Sequence, residues 1–173
     1  MKRFALTVYI VLFSITLFAQ GKLLSPKEFL GYEPGDRFTP HHQTVAYFRH
    51  TAEVSPNAAL YTYGATYEER PLVYLVISSP GNFGRLEQIR LNNLRRTGLH
   101  PGDPSSDNIA IVWLSYNVHG NEASSMEAAM ATLYALADPD NEKTQEWLEN
   151  TVVIIDPCVN PDGRDRYANF YNQ

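Results

Sequence analysis

His119 and Glu122 are the residues whose types and spacing point most directly to chemistry. They close the stretch IAIVWLSYNVHGNE, residues 109–122, in which an apolar run breaks at Ser115-Tyr116-Asn117 just before the pair. A neutral imidazole nitrogen and a carboxylate oxygen are donors that suit zinc, and two of them leave room for a third ligand and a water. Gly120 lets the backbone turn between them. A histidine just past a strand and a glutamate entering the next helix can thus stand side by side at a sheet end.

The spacing alone is weak, because His50 and Glu53 also spell His-x-x-Glu. They fall in a predicted helix that opens with Thr39 as N-cap and Pro40 at the first helical position, and ends near Ser55-Pro56. Val45, Phe48 and Ala52 mark its buried stripe, which places His50 on the solvated face as half of an exposed helical pair. Context therefore decides between the two pairs.

For His119 that context is a βαβ unit. Ile109–Leu114 reads as a buried strand, and a helix follows from about Glu122 to Ala137. Met126, Met130, Leu133 and Ala137 are its core stripe rather than metal ligands, and Ala123, Ala128, Ala129 and Ala131 allow close packing on a sheet. After a short helix around Lys143–Leu148, the β-branched run Thr151–Ile155 has the character of a strand buried on both faces. The two strands should be parallel neighbours or near-neighbours, with any site beyond their carboxyl ends. His119 and Glu122 lie at one such end, and Asn160-Pro161-Asp162-Gly163, read as a turn, lies at the other.

Upstream, residues 59–63 and 72–77 read as a hairpin, and residues 82–96 as an amphipathic helix whose Arg85, Arg90, Arg95 and Arg96 form a solvated face. Residues 25–37 are polar and turn-rich, a surface segment, and His100 sits in a loop with no assigned role. The fold class is α/β: a mixed, largely parallel central sheet flanked by helices.

The 173 residues suffice for one domain with a sizeable core. Lys2-Arg3 followed by the apolar run to Phe18 predicts a signal peptide over residues 1–20, hence a secreted or periplasmic protein with no stable membrane insertion after cleavage. The net charge of −5 becomes more negative once Lys2 and Arg3 are removed, which excludes nucleic acid and anionic membrane surfaces as natural partners. Cys158 is the single cysteine, so an internal disulfide is excluded and stability must come from the core.

NVHGNE at 117–122, the small-residue helix after it, VIIDPCVNPDGRDRY at 153–167 and, more weakly, YGATYEERPL at 63–72 resemble the M14 zinc carboxypeptidases. The resemblance is to large secreted bacterial members. It implies a Zn2+ cofactor with His119 and Glu122 as its first two ligands, and a peptide or protein substrate cut at its C-terminal bond. It places the third ligand, the general base and the substrate-binding arginines beyond Gln173. Residues 21–173 are accordingly read as the N-terminal part of a catalytic domain whose C-terminal half is missing, and no catalytic residue is assigned. Arg164 and Arg166 stand too close to the turn to replace the family's arginines and are expected at the surface. Glu69 occupies a position where relatives carry glycine, which is expected to disturb the hairpin. Two other functions remain open: an amidase of the same architecture acting on cell-wall peptides, and a secreted binding module without catalysis.

Overall fold

β-branched and aromatic residues concentrate in four short runs, and in the computed structural model, which describes residues 21–173, all four join one sheet. The strands are β1 (Ala58–Ala65), β2 (Pro71–Ile77), β3 (Ala110–Ser115) and β4 (Thr151–Asp156), arranged β1-β2-β4-β3. The signal peptide predicted over residues 1–20 lies outside the described residues. β1 pairs with β2 and β2 with β4 antiparallel, so the parallel character expected of the sheet is confined to β3 and β4. That pair runs in register from Ala110 opposite Thr151 to Ser115 opposite Asp156. Its crossover carries α5 (Ser125–Ala137) and α6 (Glu142–Glu149), which is the expected βαβ unit.

The other helices are α1 (Pro26–Leu30), α2 (His41–Val54), α3 (Pro80–Phe83), α4 (Leu86–Arg96) and α7 (Pro161–Tyr171). Alternation along the strands builds a core on each face of the sheet. On one face Leu75, Ile77, Val153 and Ile155 meet Phe48 of α2 and Leu133 of α5. On the other, Val76 and Val152 meet Ile89 of α4. β4 is thus buried on both faces, as its unbroken β-branched run predicts.

β3 departs from expectation. Ile111, Val112 and Trp113 are exposed, because β3 is the outer strand and has only β4 beside it among the described strands. An apolar run looks the same in sequence whether or not a neighbour covers it. Ala128 and Ala131 of α5 are likewise exposed rather than packed on the sheet, whereas Met126, Met130 and Leu133 are fully buried.

Local starts also differ. Pro40 is the N-cap of α2, extended at φ −72° and ψ 154°, and Thr39 precedes it. The amphipathic segment is broken after Phe83, giving α3 and α4, with Ser79 capping the first through Asn82 N. Arg90 pairs with Glu87 in solvent, but Arg85 and Arg96 hold the loop that follows, through Asp107 and backbone carbonyls. His50 is half-buried rather than solvated: its Nε2 accepts a hydrogen bond from Leu24 N at 3.2 Å, and its ring packs beside Phe29, 5.4 Å between centroids. The segment around α1 folds back over α2 and covers it. Among the described residues no helix is long and apolar enough to cross a membrane.

The hairpin turn closes despite Glu69. Thr66 N donates to Arg70 O at 2.9 Å, and Thr66 Oγ1 accepts from the amides of Glu68 and Arg70. Glu69 itself takes the left-handed conformation at φ 61°, where a Cβ is unfavourable. Glu69→Gly should therefore raise stability by about 0.5–1 kcal/mol in urea titration, the relief of left-handed strain being partly offset by glycine's larger unfolded-state entropy. A loss of stability would mean that the glutamate side chain contributes more than its backbone costs.

Candidate metal site

Beyond Ser115 and Asp156 the parallel strands keep exchanging backbone hydrogen bonds. Tyr116 N donates to Asp156 O, Val159 N to Tyr116 O and Asn160 N to Asn117 O, each at 3.0 Å. Asn117 ends the pairing on the β3 side. It is fully buried and left-handed at φ 54°, a conformation asparagine tolerates because its short amide bonds locally. Its Nδ2 donates to the carbonyl of His119, and its Oδ1 accepts from Cys158 Sγ at 3.4 Å. Burial pushes the Cys158 thiol up to about 12, so it remains a protonated donor to Asn117.

On the β4 side, Asn160-Pro161-Asp162-Gly163 is the start of α7 rather than a free turn. Asn160 is the N-cap, with Oδ1 accepting from Gly163 N at 3.0 Å, and Pro161 occupies the first turn, where a missing N–H costs nothing. Gly163 then seats Gly120. A Cβ on Gly120 would lie 2.6 Å from Gly163 Cα and closer still to its carbonyl.

The turn between β3 and α5, held on this floor, presents the pair. His119 Nδ1 and Glu122 Oε1 are 3.1 Å apart, the imidazole 77% and the carboxylate 39% exposed. Glu122 precedes α5, which begins at Ser125, so the expected helix entry comes later than the sequence suggests. The hydrogen bond with the His119 ring holds the Glu122 carboxyl below its ordinary range, against partial desolvation and with help from the His119 and Val118 amides. Among the described residues, no group of three or more His, Cys, Asp or Glu side chains is placed to share a metal ion. His50 and Glu53 lie on α2, outside this site.

The zinc carboxypeptidase family, peptidase M14, matches residues 44–172. This chain belongs to that family. Solved structures similar to this M14 chain include carboxypeptidase A from Helicoverpa armigera, 22% identical over 75% of the chain with a TM-score of 0.54. Thrombin activatable fibrinolysis inhibitor is 16% identical over 76% with a TM-score of 0.56. A metallo-carboxypeptidase from Burkholderia cenocepacia is 18% identical over 73% with a TM-score of 0.51. At these identities the likeness establishes the fold. The M14 chain spans 26%, 28% and 29% of the lengths of these three structures. No curated protein matches it in sequence.

Three features of the site in this M14 chain escape the sequence reading. Arg164, expected at the surface, is fully buried, with Nη2 bonded to both oxygens of Glu127 at 2.8 and 3.1 Å. Its partner lies 37 residues upstream, and only the helix spacing of Glu127 on the core side of α5 hints at it. Arg166, by contrast, is exposed and pairs with Glu68. Arg70 bonds Asp162 at 2.8 Å and Asp165 at 2.7 Å, and Thr66 Oγ1 donates to Asp162 Oδ1 at 2.7 Å, fastening the hairpin turn to α7. Asp156 ends β4 buried; burial raises its pKa, opposed by hydrogen bonds from Tyr63 OH at 2.6 Å and Cys158 N at 3.1 Å.

Gly120→Ala forces backbone apart at the Gly163 contact. It should cost about 1–3 kcal/mol, the range for overpacking a close contact, measured by urea denaturation. Unchanged stability would mean that the His119 turn does not rest on α7.

Proposed function

We propose that this chain supplies part of the catalytic domain of an exported zinc metallocarboxypeptidase that hydrolyses C-terminal peptide bonds, with His119 and Glu122 as two of the zinc ligands. The observation that carries the reading is their 3.1 Å approach on an exposed turn beyond the carboxyl ends of parallel strands, in a chain of the zinc carboxypeptidase family. An imidazole nitrogen and a carboxylate oxygen match zinc's preferences. The signal peptide expected over residues 1–20 supports export.

Zinc, when bound, supplies Lewis acidity that polarises a scissile carbonyl and acidifies water. The chain's own residues supply the orientation. The Asn117 amide holds the His119 carbonyl, and Gly163 seats Gly120. The hydrogen bond between Glu122 and the imidazole keeps the carboxylate ionised and adjacent to it. Exposure of the pair keeps it open to a peptide chain end.

Two protein donors hold zinc weakly, so the 173-residue chain alone should bind it in a low-affinity, saturable way and leave blocked dipeptides uncleaved. His119→Ala should weaken that binding beyond the roughly 10–100-fold that outer-shell changes cost, read by competition with a chromophoric chelator. Wild-type affinity in His119→Ala would contradict the assignment and favour a binding module. Rapid dipeptide hydrolysis by the 173 residues would contradict the two-donor account.

A further inference from the structure

We propose that Arg164 is a positioning residue for the metal pair, holding the turn that carries Glu122 through the carbonyl of Ala123. The inference rests on the zinc reading of His119 and Glu122.

Arg164 is the bulkiest of the fully buried side chains among the described residues. Every edge of its guanidinium is used. Nε donates to Thr39 O at 3.2 Å, Nη1 to Ala123 O at 2.8 Å and Nη2 to the Glu127 carboxylate. Glu127 Oε1 also accepts from Thr39 N at 2.7 Å, and the guanidinium lies 5.6 Å from the centre of the Phe38 ring. A rigid planar fork reaches three separated acceptors at fixed angles, whereas lysine offers its donors from a single nitrogen on a flexible stem.

The place of the Nη1 bond gives it significance. Ala123 directly follows Glu122, so its carbonyl is held just after the pair, whereas the Asn117 amide holds the His119 carbonyl and Gly163 meets Gly120 between the two. One short segment, Asn160 to Arg164, therefore grips the turn before His119, at Gly120 and after Glu122. Replacing a buried ion pair by apolar residues of similar volume is often neutral or stabilising, whereas removing one partner is costly. The third arm, aimed at the residue next to Glu122, is what an apolar pair cannot reproduce.

That difference sets the experiment. Zinc dissociation constants are measured by chelator competition on the 173-residue chain, wild type, His119→Ala and the double variant Arg164→Met/Glu127→Leu, together with the melting temperature of each metal-free protein. The double variant leaves Thr39 and the Ala123 carbonyl without these partners and should melt below wild type, but while still folded it should bind zinc about tenfold or more weakly, the size of effect seen when groups that orient metal ligands are removed. Wild-type affinity in the double variant, with binding lost in His119→Ala, would overturn the positioning role and leave the zinc reading intact. Wild-type affinity in His119→Ala would overturn the zinc reading itself. Should the double variant melt too early for that measurement, Arg164→Lys keeps a cation opposite Glu127 but lacks the fork; it should show the same loss at wild-type melting temperature. Wild-type zinc affinity in Arg164→Lys would equally overturn the role.

Discussion

A buried asparagine in a left-handed conformation is the constraint on which the arrangement depends. Asn117 sits where β3 stops pairing as a strand and the chain must turn toward His119, at φ 54°. Its main-chain carbonyl joins it to Asn160, its side-chain carbonyl to Cys158, and its side-chain amide to His119. A buried amide left without partners would cost on the order of 1–3 kcal/mol, so these bonds specify one geometry rather than merely add stability. The parallel register between β3 and β4 brings Cys158 and Asn160 alongside Asn117, and the turn that follows inherits its position from them.

The N-terminal turn of α7 gathers the remaining restraints. Asn160 caps it, Gly163 receives Gly120, Asp162 and Asp165 take Arg70 from the hairpin, and Arg164 reaches α5. The Arg70 bridges are largely shielded, at 25% exposure for Arg70 against 15% and 14% for its partners, and link elements far apart in sequence. The Arg166–Glu68 pair at the same corner has one side chain 70% exposed, and solvated pairs of that kind contribute little. Glu69 illustrates the tolerance of this corner: it adopts glycine's conformation, and the turn closes because Thr66 satisfies two of its amides.

Features that depend on local order were legible in the sequence. The βαβ unit, the hairpin, the core stripe of α5 and the doubly buried β4 all follow from periodicity that neighbouring residues carry themselves. So was the approach of His119 to Glu122, because the two residues between them, one a glycine, suffice to bring them together. What was missed depends on partners remote in the chain. The apolar run of β3 implies burial only if neighbours cover it on both sides, and among the described strands β4 alone flanks it. His50 needs Leu24 before it is recognisable as half-buried, and Arg164 needs Glu127 and Thr39 before it is recognisable as an interior residue. A charged side chain beside a turn motif reads as solvated until its counter-ion is located.

The most direct test of the central claim is nitrogen-15 NMR of the histidine side chains during zinc titration of the 173-residue chain. The account predicts that the His119 ring nitrogens shift on zinc addition and that Glu122→Gln suppresses the shift, while His41, His42, His50 and His100 stay unchanged. A zinc response at another histidine with His119 unmoved would contradict it.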